Sequence, residues 1–226
     1  VSSPRVIPGA EAFRFDGGRT GVLLLHGFTG NPTSMRPIGE WLASKGMAVG
    51  APRYPGHGTT WQDLAVSKWE QWEAEAEAAL KELAGRTDTL VAAGLSMGGA
   101  MALHLAAKHA DLVKGVVVVN ALVRDPRLKF AGVARLFARS RKGVGNDIKK
   151  PAQNEAPYDR VPYTGIAPED HVVPKDNAQY ILDHVGSEQK ELVTLPNSYH
   201  VATLDYDAET IQERILELAK AAAASR

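Results

Sequence analysis

Short apolar runs alternate along this chain with longer stretches in which apolar residues return every three or four positions. The runs are Gly21-Val22-Leu23-Leu24-Leu25, Met47 to Ala51, Thr89 to Ala93 and Gly115-Val116-Val117-Val118-Val119-Asn120. They are continuous rather than alternating, the pattern of strands buried on both faces. Between them, Met35, Ile38, Trp41 and Leu42 recur at helical spacing. So do Trp69, Trp72, Ala76 and Leu80 within 67–83, and Ala100 to His109 reads as a further helix. The order β, α, β, α, β, α, β predicts an α/β, doubly wound, mostly parallel sheet. Ahead of it, Ala12-Phe13-Arg14-Phe15 reads as a small edge strand.

After residue 120 the period breaks. Within 121–150, Arg124, Arg127, Lys129, Arg135, Arg139, Arg141, Lys142, Lys149 and Lys150 stand against Asp125 and Asp147, with Leu128, Val133, Leu136 and Phe137 at roughly helical spacing. This is a basic amphipathic stretch, and 121–160 is read as a cap insert between two parts of one core, 1–120 and 161–226. Residues 161–167 stand where the next central strand belongs, although a proline and a glycine interrupt them. A turn at 169–174, a helix over 175–185, a last strand over Glu191 to Leu195, a loop at 196–200 and a closing helix over 206–223 complete the expectation.

Composition narrows the function. Lys plus Arg equals Asp plus Glu, 26 each, so the chain has no bias towards polyanions and nucleic acid is set aside as a partner. With no cysteine, a disulfide framework, a thiolate nucleophile and a zinc–cysteine site are excluded. The lack of cysteine fits a cytoplasmic setting. No apolar run reaches the length of a membrane span, and the seven histidines form no H-x-x-x-H pair, so no metal is expected. A basic cap suggests weak contact with an anionic interface. One short basic helix gives only marginal membrane affinity, so the plainer reading, a solvated face of a lid, is preferred.

The chemistry centres on Gly94-Leu95-Ser96-Met97-Gly98, which follows an apolar strand and opens a helix. In that context G-x-S-x-G is a nucleophile elbow, which holds a serine hydroxyl out at the carboxyl end of a sheet. Any glycine-rich strand-to-helix turn carries similar letters, so the context and not the pentapeptide makes the argument. A side chain at Gly94 or Gly98 would crowd the neighbouring strand and helix. Upstream, His26-Gly27-Phe28-Thr29-Gly30 is a glycine loop between strand and helix, and free backbone N–H groups there suit an oxyanion. The N–H groups of Phe28 and Met97 are the candidate oxyanion hole. His26, and His57 between two glycines, read as braces of their loops.

A serine needs a base, and the base needs a carboxylate. In this topology the order is serine, acid, histidine. His200 follows the last predicted strand on a rim loop and is the candidate base; His171 is its closest rival. Asp170, in the turn before a helix, is the candidate acid, ahead of Glu169, Asp125, Asp147 and Asp159. Asp205 and Asp207 come after the base and read as the start of the last helix. The scheme requires no cofactor.

The pieces His26-Gly27-Phe28-Thr29-Gly30, Pro55-Gly56-His57-Gly58, Gly94-Leu95-Ser96-Met97-Gly98-Gly99, Asp170-His171-Val172-Val173-Pro174 and Ser198-Tyr199-His200 together resemble the α/β-hydrolase superfamily, and within it the small bacterial carboxylesterases and monoacylglycerol lipases. The resemblance implies a catalytic Ser96, Asp170 and His200, with Phe28 and Met97 as oxyanion donors. It also implies carboxyl esters of short to medium acyl chains, monoacylglycerols among them, as substrates. The same triad could act on thioesters, lactones or amides; a non-catalytic ligand-binding member of the fold would be expected to carry a damaged triad. Members of that family have fuller cap helices and a strongly apolar strand before the aspartate. This chain is shorter around Tyr158 to Pro168, so part of the cap is expected to be missing.

Overall fold

A computed structural model of the chain describes residues 5–124, 140–142, 160–162, 173–174 and 176–225. Among them the main sheet has five strands: β1 (Phe13–Phe15), β2 (Thr20–Leu25), β3 (Ala48–Ala51), β4 (Thr89–Leu95) and β5 (Val113–Val119). Their spatial order is β1-β3-β2-β4-β5, with β1 antiparallel to β3 and every other pairing parallel. The doubly wound sheet expected from the apolar runs is therefore present.

The two faces carry two separate layers of core. On one side Val22, Leu24, Val49, Val91 and Ala93 meet Ile38 and Leu42 of α1 (Arg36–Ser44) and Ile211, Ile215 and Ala219 of α6 (Ala208–Ala224). On the other, Leu23, Leu25, Leu90 and Ala92 meet Ala76, Leu80 and Leu83 of α3 (Trp69–Ala84) and Met101, Ala102 and Leu105 of α4 (Met97–Lys108). Successive residues of β2 and β4 point to opposite faces. A strand covered by helices on both sides must then be apolar at every position, which is why these runs are unbroken. α5 (Asp176–His184) follows the insert.

The acidic residues of α3 do not all face solvent alone: two of them bridge to α4. Glu73 accepts from Lys108 Nζ at 2.8 Å and pairs with His104 Nε2 at 2.9 Å, and Glu77 accepts from Lys108 and Lys81. Val161 and Pro162, expected to open the next central strand over 161–167, instead belong to β7 (Arg160–Pro162), antiparallel to β6 (Ser140–Lys142) in a separate two-stranded pair beside α2 (Trp61–Val66). Residues 191–195 form no strand. Among the described residues the sheet ends at β5, so the segment has no neighbouring strand to pair with. The short helix α2 follows a stretch rich in turn formers, Arg53 to Thr60. Its signal is a capping box: Asp63 N–H donates to Thr60 Oγ1 at 3.2 Å, and Thr60 N–H donates to Asp63 Oδ2 at 3.2 Å.

If the two-sided core holds the sheet, Leu80→Ala should cost about 2–5 kcal/mol, read from urea unfolding. Glu75→Gln, on the exposed side of the same helix, should leave the unfolding midpoint unchanged.

Candidate active site

Ser96 sits between β4 and α4 with φ 55 and ψ −118. A serine in this region is strained by about 1–3 kcal/mol, and only tight surroundings hold it there. Those surroundings are backbone. A Cβ on Gly94 would collide with the carbonyl of Gly98, and one on Gly98 would collide with the carbonyls of Leu25 and His26. Helix α4 thus lies directly against the end of β2, as the glycine pattern predicts. The elbow is also tied to the end of β5. Ser96 N–H donates to Val119 O at 2.9 Å, and Leu122 N–H donates to Ser96 O at 3.4 Å. Met97 is the first residue of α4, so its N–H has no acceptor within the helix.

The loop after β2 runs past the same serine. A Cβ on Gly27 would lie 3.2 Å from Ser96 Cβ and 3.9 Å from Ser96 Oγ. Phe28 follows immediately. Thr29 has φ 60, and Gly30 N–H donates back to Gly27 O at 3.1 Å, closing the turn. Two buried histidines brace this loop, as the sequence suggested. His26 Nδ1 lies 2.9 Å from Gly27 O, and Tyr54 N–H donates to His26 Nε2 at 3.4 Å. One ring nitrogen therefore carries the proton and the other accepts, so the imidazole is neutral. Burial pushes its pKa down to about 4. His57, also without solvent exposure, is held well below the usual histidine range by burial and by its neighbour His26. The rings of Phe28 and Trp72 pack against it, at 5.7 and 5.1 Å between centroids. Trp72 Nε1 donates to Pro55 O at 3.0 Å, joining α3 to the same assembly.

His200 lies on a loop fastened at several points. Asn197 N–H donates to Asp207 Oδ2 at 2.9 Å, and Asp207 N–H donates to Ser198 Oγ at 2.8 Å. Asp205, fully buried, accepts from Tyr199 N–H at 3.0 Å and from Tyr206 N–H at 2.9 Å. The two aspartates read from sequence as the start of the last helix are thus also loop fasteners. Asn120, one residue beyond β5, donates its Nδ2 to His200 O at 2.8 Å and is 3.4 Å from Tyr199 O. Burial pushes the His200 pKa down to about 4.

The structure therefore brings the Phe28 loop, Ser96 and Met97 together, and ties the His200 loop to the strand end beside them. Asp170 and its neighbour His171 lie outside the described residues. Other histidines after Ser96 are engaged elsewhere: His104 and His109 with Glu73 and Glu77, and His184 with Tyr180, on which it stacks at 3.9 Å. At the start of the insert, Asn177 Oδ1 accepts from the N–H groups of Val123 and Arg124 at 2.9 and 2.8 Å, anchoring it to α5. The rest of the basic stretch lies outside the described residues, apart from the backbone of β6. No group of three or more His, Asp or Glu is placed to hold a metal among the described residues, and no helix among them is long and apolar enough to cross a membrane. Asn120, Asp205 and Asp207 are the site residues that sequence reasoning did not assign.

The chain is similar to known proteins along most of its length. The profile of the family Hydrolase_4, described as serine aminopeptidase S33, matches residues 18–160. The chain is 39% identical to the thermostable monoacylglycerol lipase of Bacillus sp. (strain H-257), over 94% of this chain and 95% of that one. That alignment runs over 239 positions, more than the 226 residues present here, so the relative carries residues that this chain lacks. A carboxylesterase of Bacillus subtilis (strain 168) is 26% identical over 92% of this chain and 95% of its own. Among solved structures, one reported in work on the metagenome-derived lipolytic enzymes LipS and LipT superposes with a TM-score of 0.89 at 38% identity, covering 96% of this chain and 99% of that one. A strained serine elbow, a glycine loop beside it and this likeness along nearly the whole chain lead to one conclusion: the chain belongs to the Hydrolase_4 (S33) family of α/β-hydrolases, as an enzyme of the monoacylglycerol lipase and carboxylesterase type.

Proposed function

We propose that the protein is a serine hydrolase that cleaves carboxylic esters of short to medium acyl chains, monoacylglycerols among them, through Ser96, His200 and Asp170. The observation that carries the reading is the backbone at Ser96. A serine forced to φ 55 between two glycines that admit no side chain, beside a loop whose Gly27 nearly touches it, has a cost that a plain turn would not need to bear. The names of the relatives, a monoacylglycerol lipase and a carboxylesterase, support the ester class.

In this reading His200 takes the hydroxyl proton as Ser96 attacks the acyl carbon. The carbon–oxygen bond to the alcohol breaks, and His200 passes the proton to the departing alkoxide. Water then repeats the steps on the acyl-enzyme, releasing the acid and restoring the serine. The N–H groups of Phe28 and Met97 receive the negative charge of each tetrahedral intermediate, and each such donor is worth about 3 kcal/mol in the transition state. Asp170 orients the imidazole and stabilises its charged form. The family description names an aminopeptidase, so peptide amides are the second reading.

A p-nitrophenyl ester series from acetate to palmitate, run beside monoacylglycerols and aminoacyl p-nitroanilides, separates the two. Turnover should be highest on short and medium esters. Preferential cleavage of the anilides would replace the ester reading. Ser96→Ala should lower kcat by about 10⁴-fold or more, and Asp170→Asn by about 10³–10⁴.

The pH dependence follows from His200. The base must be neutral to work. Burial favours the neutral form of His200, whereas the Asp170 carboxylate of the proposed triad favours the charged one; with burial dominant, the acid limb of kcat/KM should fall below pH 6.5. An acid limb at or above 6.5 would mean that the carboxylate outweighs burial. Stability should fall across the same range. His26, His57 and His200 refuse protons while folded, but take them up below about 6.5 once unfolded. Each then removes up to about 1.4 kcal/mol per pH unit as pH drops from 6.5 to the folded value. Urea unfolding at several pH values measures this directly and separates it from the loss of activity.

A further inference from the structure

The loop bearing His200 is held from two directions. Asp205 holds it from within the fold, through the N–H groups of Tyr199 and Tyr206. Asn120 holds it from the sheet, and its position is unusual. The residue before it, Val119, accepts the N–H of Ser96 at 2.9 Å. Leu122, two residues after it, donates to the carbonyl of Ser96 at 3.4 Å. Its own carboxamide donates to His200 O at 2.8 Å, with Tyr199 O at 3.4 Å. Asn120 therefore lies in the short stretch whose ends make two of the Ser96 backbone's hydrogen bonds, and it bonds directly to the His200 backbone.

Resting on the serine-hydrolase reading, we propose that Asn120 is a positioning residue that sets the His200 main chain relative to the Ser96 main chain. It acts through His200 and not on the reacting atoms. Two properties suit asparagine to the task. The backbone at 120 has φ +45, a left-handed conformation that asparagine tolerates better than most side chains. Two carbonyl oxygens also face the side chain, so it must be a donor. A carboxylate there would direct negative charge at both carbonyls, and an aliphatic side chain would leave them without this donor. Proton transfer depends steeply on the alignment of serine and histidine, whereas nothing in this link bears on holding the acyl group. Losing it should lower kcat and spare KM.

The test uses Asn120→Gly and Asn120→Asp in the full chain. Glycine accepts φ +45 without strain and removes only the donor, so the bend survives. Aspartate keeps the shape and reverses the polarity. Three quantities are read for each: kcat and KM on a p-nitrophenyl ester, the rate of phosphonylation of Ser96 by a fluorophosphonate, and the thermal midpoint. For N120G the midpoint should stay within a few degrees of wild type and KM within about twofold. Its kcat and phosphonylation rate should both fall by about tenfold to a hundredfold. N120D should lose at least as much. An N120G protein that is phosphonylated as fast as wild type, or whose loss appears only in KM or only as unfolded protein, overturns the positioning role. A wild-type protein that takes no label at Ser96 overturns the hydrolytic reading, and this proposal with it.

Discussion

The fold around the site depends on one close approach of backbone to backbone. Helix α4 begins so near the end of β2 that the Cα of Gly98 lies against the carbonyls of Leu25 and His26, and Gly94 against Gly98 itself. No side chain fits at either position. The chain must therefore turn from strand to helix within a single residue, Ser96, and that residue takes a conformation that serine does not favour. Everything that holds the turn closed, from the apolar layers on each face of β2 and β4 to the bonds from Ser96 to Val119 and Leu122, keeps the hydroxyl at the carboxyl rim of the sheet.

The rim itself is braced by buried polar groups. His26 and His57 resemble catalytic bases by residue type, yet each is buried and held neutral, and they serve as hydrogen-bonding and packing elements beneath the Phe28 loop. The Asp205 carboxylate does comparable work under His200 by accepting two backbone N–H groups. Such groups are costly to bury unless paired. Their cost is offset by the fixed geometry they impose on loops that would otherwise sample many conformations. Preorganisation of this kind is what an oxyanion site requires, because its donors must already point at the charge when it forms.

Much of this was legible in the sequence, for identifiable reasons. Continuous apolar runs such as Leu23-Leu24-Leu25 and Leu90 to Ala93 have few alternatives to a covered parallel strand, and glycines flanking Ser96 have few alternatives to a tight elbow. The Thr60–Asp63 capping box is legible as well, as a threonine followed three residues later by an aspartate. Other features could not be read from one residue at a time. Asn120 ends a strand like any polar residue, and its role emerges only when the 196–200 loop folds back onto it. The pairings of Glu73 and Glu77 with Lys108 depend on the packing of α3 against α4. Residues 191–195 have a strand-like composition, but a strand exists only where a neighbouring strand can take its hydrogen bonds.

The central claim is geometric: the Ser96 hydroxyl, the His200 imidazole and the Phe28 and Met97 N–H groups surround one reacting atom. A crystal structure of the protein after treatment with an alkyl fluorophosphonate tests it most directly. The account predicts phosphorus bonded to Ser96 Oγ, one phosphoryl oxygen within hydrogen-bond distance of both N–H groups, and the His200 ring in reach of Ser96 Oγ. Phosphorus on another side chain, or a phosphoryl oxygen turned away from Phe28 and Met97 with His200 out of reach, would contradict it.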